Sequence, residues 1–385
     1  MTFAHVVGWG KYVPPKVVTN ADLSRSVDTT DDWIISRTGI RERHIVGPKE
    51  SAATMGFAAA REALEVAGVL PTEVDLIICA TATPEYAFPS TASLIQDALG
   101  ATKAGAFDLS AGCSGFVYGL SIASQIIQGG GHQIVLVVGS ETLSRITNWQ
   151  DRGTCILFGD GAGAMVLKAS EERGGVLSSL VRSDGSGGDL LMVPAGGSHT
   201  PASIQSVQQG QHYIQMNGRE VFRFATRVVD KATREVVEKA GLTLADIHLF
   251  VPHQANLRII QAAARTLELT DDRIFVNLDR YGNTSSASIP IALCEAVEGG
   301  RIKPGDKIVL VGFGAGLTWA AATIEWGVPE PLHQPNLAIR MARIAIYPLA
   351  AARSRGAKAL RRIEGRLFGA PSPKRIDEDG KKKRD

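Results

Sequence analysis

Cysteine is scarce in this 385-residue sequence. Four residues, at 79, 113, 155 and 294, form neither a C-x-x-C pair nor a paired disulfide framework. No stretch reaches the roughly 18 apolar residues that a spanning helix needs. The opening MTFAHVVGWGKYVPPK lacks the basic start, apolar middle and small-residue cleavage site of a secretion signal. These absences set the expectation of a reduced, cytoplasmic protein. There is also almost no net charge, +2 in total, but its distribution is uneven. From Val328 onward there are 14 Lys and Arg against 6 Asp and Glu, whereas the first 327 residues carry 27 against 33. A mildly acidic body therefore precedes a basic tail.

What is present is an ordinary globular composition, 44% hydrophobic, in a chain long enough for two or three folding units. The body repeats itself. REALEVAGVLPTEVDLII at 61–78 aligns without a gap to REVVEKAGLTLADIHLFV at 234–251, an offset of 173. Each reads as a helix ending at Ala-Gly, a short loop and an apolar strand. Gly112-Cys113-Ser114 faces Gly282-Asn283-Thr284 at an offset of 170, and IVLVVG at 134–139 faces IVLVGF at 308–313 at an offset of 174. Strands rich in Val and Ile alternate with helical patterns, which predicts mainly parallel buried sheets covered by helices. Two similar α/β halves, 1–170 and 171–327, with a site at their junction are expected.

Within DLSAGCSGFVYGL at 108–120, Cys113 falls between a strand end and a helix. Helix N–H groups and the helix dipole there predict a lowered thiol pKa, and Gly112 and Gly115 leave room for a substrate carbonyl. The ordinary alternative is a small buried cysteine packing like alanine; that reading is kept for Cys79, Cys155 and Cys294. His253 closes a strand in VPHQANLRII, Asn283 occupies the position that matches Cys113 in the other half, and VGFGAGLTW follows a strand with a glycine-rich loop.

These stretches, together with DDWIISRTGIRERHI at 31–45, TPEYAFPSTAS at 83–93 and DRGTCILFGDGAGAMVL at 151–167, resemble the 3-oxoacyl-acyl-carrier-protein synthase III family over residues 4–326. The resemblance implies a thiolase-like α/β fold, layered α-β-α-β-α, and an acyltransferase that initiates fatty acid synthesis. It implies Cys113, His253 and Asn283 as catalytic residues, with backbone N–H groups of Cys113 and Ala315 as oxyanion hole. Trp33, Arg37, Arg152 and Asn256 are implied in binding the acyl-CoA. Arg223, Arg258 and Arg265 are implied in docking malonyl-acyl carrier protein (ACP), an acidic helical partner. Phe88 is implied at the end of a partner subunit's acyl pocket, hence a homodimer and a short primer. No metal and no cofactor beyond the CoA thioester substrate is implied.

Two further readings compete: a secondary-metabolism relative that acylates another nucleophile from the same cysteine, and an inactive scaffold recruited through its tail. The intact Cys113, His253 and Asn283 speak against the scaffold. A degradative thiolase would carry a second late cysteine, which FGAGLTW lacks. Elongating relatives use two histidines where Asn283 takes the second place. The GDGAG run at 159–163 lacks the third spaced glycine of a dinucleotide fingerprint.

Residues 328–385 have no counterpart in that family. A proline-marked linker, VPEPLHQP, leads to NLAIRMARIAIY, then Pro348, then LAAARSRGAKALRRIEGRLFG. In the last piece Arg355, Lys358, Arg362 and Arg366 share one helical face, and Leu360, Ile363 and Leu367 another. A C-terminal helical extension is expected, with membrane-surface or partner contact through 335–368 among its readings and a disordered end from Pro371. No nucleic-acid recognition motif is present.

Overall fold

The computed structural model describes residues 1–327 and the helix at 337–367, with side chains of that helix at 346–364. The linker at 328–335 and the end from Pro371 lie outside the described residues. Five strands, Phe3–Tyr12 (β1), Leu76–Ala80 (β2), Gly105–Leu109 (β3), Ile134–Glu141 (β4) and Gly161–Ser170 (β5), form one sheet in the order β1-β5-β4-β2-β3. Four more, Gly175–Ser183 (β6), Leu249–Pro252 (β7), Asp306–Gly314 (β8) and Thr318–Trp326 (β9), form a second in the order β6-β9-β8-β7. The helices that position the site are Asp31–Thr38 (α1), Ala52–Ala67 (α2), Thr91–Leu99 (α3), Gly115–Gln128 (α4), Gly218–Lys239 (α5), Leu257–Thr266 (α6) and Ser288–Glu298 (α7), and Leu337–Leu367 (α8) follows the body.

The two sheets repeat one plan. In the first, β1/β5 and β5/β4 are antiparallel while β4/β2 and β2/β3 are parallel. In the second, β6/β9 and β9/β8 are antiparallel, β8/β7 is parallel, and a parallel bridge from Phe250 to Ile274 stands where β3 would be. The sheets are thus mixed, not mainly parallel as the strand composition suggested. Only three residues separate β8 from β9, too few for a crossover, so those strands must run antiparallel.

Helices α4 and α7 lie between the sheets. Phe116, Val117, Leu120 and Ile127 of α4 and Ile289, Leu293 and Ala296 of α7 join strand residues of both sheets in one core. Helices α2 and α3 cover the outer face of the first sheet, α5 and α6 that of the second. The result is the α-β-α-β-α layering of a thiolase fold. Pro348 does not end α8, which runs through it as one helix.

Candidate active site

Strand β3 leads into a tight turn at Gly112–Ser114, and α4 begins at Gly115. Gly112 has φ +51°, and Gly282, just before Asn283, has φ +63°. Both are left-handed positions that glycine adopts without a Cβ penalty. The counterpart of Gly112 in the second half is Ser285, φ +49°, which opens the matching tight turn Ser285–Ala287 directly before α7. Ser286 rather than Asn283 therefore takes the place of Cys113, against the offset of 170 read from the sequence, and Asn283 is presented by the loop just ahead of that turn. Gly314, at the end of β8, presses on Cys113: a Cβ added there would lie 2.8 Å from its backbone N and 3.2 Å from Sγ.

His253 follows β7 and is only 1% exposed. Its Nδ1 lies 2.6 Å from Ser288 Oγ, the first residue of α7. That oxygen also accepts the Gln254 N–H at 3.5 Å, an arrangement compatible with the serine hydroxyl donating to Nδ1. Asn283 Oδ1 accepts the Ser285 N–H at 2.8 Å, so its NH2 group is the end left to donate. Cys113, His253, Asn283 and Gly314 line one cavity of about 350 Å³.

Burial dominates the electrostatics. His253 is pushed down to about 3 by loss of hydration, so its ring is neutral. The Cys113 thiol is pushed up to about 12, again by burial first, with a Ser285 hydrogen bond pulling the other way. This reverses the lowered thiol pKa expected from the helix start. The magnitudes decide it: a helix terminus contributes about 0.3–2 kcal/mol, roughly one pKa unit, whereas full burial shifts a group by up to about 3–5 units.

At the cavity mouth, Thr30 caps α1 by accepting the Trp33 N–H, and Asp31 and Asp32 in its first turn with Arg37 in its last suit the helix dipole. Trp33, Arg37 and Asn256 line the same cavity as the catalytic candidates. The Arg152 guanidinium sits 4.8 Å from the Trp33 ring centroid and donates to Asp28 O. Arg152 and Trp33 thus stack on each other. Asn256 caps α6 by accepting the Arg258 N–H at 2.9 Å, and its amide donates to Arg37 O at 3.1 Å, tying α6 to α1. Arg223, Arg258 and Arg265 are exposed on α5 and α6. Arg223 pairs with Glu220, and Arg258 lies over Phe222, a residue of the cavity wall. Ala315 is not in that wall, but its N would lie 2.9 Å from a Cβ on Gly112. Phe88 is 87% exposed and stands apart from the cavity. Cys79, Cys155 and Cys294 are buried.

Several supporting residues escaped the sequence reading. Ser285 and Ser288 follow Asn283 within five residues, and nothing in their local sequence assigned them a role. Glu141 ends an all-buried strand, a placement whose only signal was a charged residue closing IVLVVGS. Its carboxylate accepts from Ala82 N at 3.0 Å, Thr83 Oγ1 at 2.8 Å and Ser286 Oγ at 2.8 Å, joining the two halves beside the site. Burial raises its pKa.

A buried thiol at a strand–helix turn, facing a neutral histidine and an amide from a duplicated half, defines a thiolase-fold acyltransferase. Comparison with known proteins narrows the class. The 3-oxoacyl-[acyl-carrier-protein (ACP)] synthase III profile matches residues 107–185, and its C-terminal counterpart matches 237–326. The β-ketoacyl-[acyl-carrier-protein] synthase III of Symbiobacterium thermophilum is 56% identical over 322 residues, 84% of this chain and 98% of that protein. The crystal structure of 3-oxoacyl-[acyl-carrier-protein] synthase III from Aquifex aeolicus superposes with a TM-score of 0.78 at 46% identity, covering 84% of this chain and 99% of that one. The priming β-ketosynthase of the R1128 polyketide pathway superposes with a TM-score of 0.79 at 40% identity, covering 85% and 97%. The chain belongs to the 3-oxoacyl-ACP synthase III family, and is a condensing enzyme that initiates fatty acid synthesis. Among the described residues, no helix is long and apolar enough to cross a membrane.

Proposed function

We propose that the Cys113 thiol takes the acyl group of a short acyl-CoA and passes it to malonyl-ACP. The observation that carries this is the single cavity holding Cys113, His253 and Asn283, with Trp33 and Arg37 at its mouth. In the first step the thiol sulfur bonds to the thioester carbon, the bond to the CoA sulfur breaks, and the thiol proton leaves with CoA. One thioester replaces another, so the acyl group stays activated. Backbone N–H groups of Cys113 and Ala315 are the proposed oxyanion donors.

His253 is not the base for that step. Burial pushes the imidazole down and the thiol up, so at rest both members of an imidazolium–thiolate pair are disfavoured. With Ser288 donating to Nδ1, the one ring proton sits on Nε2. Nε2–H and the Asn283 NH2 then donate to the thioester oxygen of malonyl-ACP as CO2 leaves and negative charge gathers there. The resulting carbanion attacks the acyl-cysteine carbonyl, the cysteine sulfur leaves and takes a proton from solvent, and 3-oxoacyl-ACP is released. The residues present call for no metal in this scheme.

The CoA adenine is assigned to the Trp33 face, displacing the Arg152 contact, with Arg37 near a phosphate and Asn256 beside the pantetheine arm. The exposed Arg223, Arg258 and Arg265 on α5 and α6 suit an acidic carrier protein. A homodimer through the open edge of β3, with Phe88 closing the partner subunit's acyl pocket, accounts for an aromatic left 87% exposed. The same proposal divides the chain at 1–170, 171–327 and 328–385.

The test is intact mass after incubation with a panel of short acyl-CoAs. Wild type is expected to gain one acyl group that malonyl-ACP discharges, and Cys113→Ala none. An unmodified wild-type mass with every acyl-CoA, or equal labelling of Cys113→Ala, refutes the assignment.

A further inference from the structure

Helix α8 belongs to the basic tail beyond residue 326, where the family match ends, yet it is fixed to the body on one side. Tyr347 meets Phe57 edge-on at 5.9 Å between ring centroids. Ala350 packs on Gly100 so closely that a Cβ there would come within 2.9 Å of its own. Ser354 donates to Asp97 at 2.6 Å, and Lys358 reaches the same carboxylate at 3.9 Å. Residues 347, 350, 354 and 358 advance by three or four, so they define the inward face.

The opposite face carries Leu349, Leu360 and Ile363, exposed by 65%, 56% and 53%. Ala352, Gly356 and Ala359 continue that stripe, and nothing lies within 4 Å of a Cβ placed on Gly356. Arg353 borders the stripe on one side, and Arg355 and Arg362 on the other; all three are exposed. Between 346 and 364 there are five Lys and Arg and a single acidic residue, Glu364. The helix therefore turns an apolar strip away from the protein with guanidinium groups along both margins. A flat anionic boundary satisfies both at once: aliphatic side chains enter the acyl region while arginines stay level with phosphates. A second copy of this helix would set like charges against each other along both margins.

We propose that the outward face of α8 is a docking surface for an anionic phospholipid bilayer, on which the helix lies flat without crossing. The apolar stripe supplies depth and the arginines supply preference for negative headgroups. Because α8 is held by α2 and α3, docking fixes the catalytic body at a set orientation to the lipid.

The experiment is co-sedimentation of full-length protein with vesicles of equal parts phosphatidylglycerol and phosphatidylcholine, and with phosphatidylcholine alone. Wild type is expected to partition at least tenfold more strongly into the anionic vesicles, with the preference shrinking as salt rises. Leu360→Ser/Ile363→Ser is expected to lower that partitioning at least tenfold. Arg355→Gln/Arg362→Gln is expected to abolish the preference while retaining weak binding to both vesicles. None of these variants is expected to change Cys113 acylation, which reports separately on folding and on the catalytic assignment. Equal partitioning of wild type and Leu360→Ser/Ile363→Ser overturns the proposal. So does a changed oligomeric state in place of a changed partition, which would assign the face to a second copy. A raised KM for malonyl-ACP without loss of vesicle binding would assign it to the acidic carrier and overturns the proposal equally.

Discussion

The buried thiol gives the sharpest prediction. With Cys113 pushed up to about 12, about one molecule in 10⁵ is a thiolate at pH 7 and about one in 10³ at pH 9. Alkylation of the free enzyme by iodoacetamide uses the thiolate, so its rate at Cys113 is expected to rise about 100-fold between those pH values. The sign follows from the raised pKa: reactivity is suppressed below it and grows as pH climbs toward it. No inflection is expected near pH 6.5, because His253 is held neutral by a pKa of about 3. Intact mass over time at a series of pH values, with Cys113→Ala as the blank, measures this directly. His253→Gln is expected to leave the slope unchanged. A rate that levels off below pH 8 in wild type would show a thiolate stabilised within the site, and loss of that plateau in His253→Gln would identify an imidazolium partner. Either result refutes the argument that burial outweighs the helix start and that His253 acts as a neutral donor.

Other expectations follow from single contacts. Gly314→Ala puts a methyl 3.2 Å from Cys113 Sγ and is expected to cut acylation at least 100-fold, with a Tm drop reflecting about 1–3 kcal/mol of overpacking; the acylation assay and a thermal melt check both. Asn283→Ala is expected to keep acylation while lowering condensation about 10²–10³-fold, read by single-turnover discharge with malonyl-ACP. Glu141→Ala strands the Thr83 hydroxyl and the Ala82 N–H, while Ser286 Oγ keeps Ala80 O, and is expected to lose at least about 2 kcal/mol in a urea titration. Trp33→Ala is expected to raise the KM for acyl-CoA about tenfold with little change in kcat, since stacking on the base contributes roughly 1–2 kcal/mol.

Much of the fold was legible because the sequence repeats it. The 173-residue offset between 61–78 and 234–251 corresponds to the shared placement of β2 and β7 in the two sheets. Strand direction was less legible: Val and Ile mark a buried strand but not its neighbour's direction, and the three-residue link between β8 and β9 was the clue that mattered. Cys113, His253 and Asn283 stood in recognisable motifs and converge on one cavity. The thiol's ionisation was not readable, because a helix start is local and visible in sequence while burial depends on β8 and the Ser285–Ala287 turn closing over it. Asn256 shows the same limit. Its side chain holds α6 to α1, a contact across 219 residues that no local pattern announces.

The duplicated turn has a consequence for how this enzyme came to be arranged. One backbone device, a positive-φ residue that opens a tight turn before a helix entering the central layer, occurs twice, at Gly112 and at Ser285, and the residues it presents differ: Cys113 in one half and Ser286 in the other. A self-associating ancestor built from a single half would have placed two identical groups face to face. With both halves in one chain the copies are free to differ: one turn presents the thiol, and in the other Ser286 Oγ lies 2.8 Å from both Ala80 O and Glu141 Oε1, bracing the junction in which the nucleophile sits.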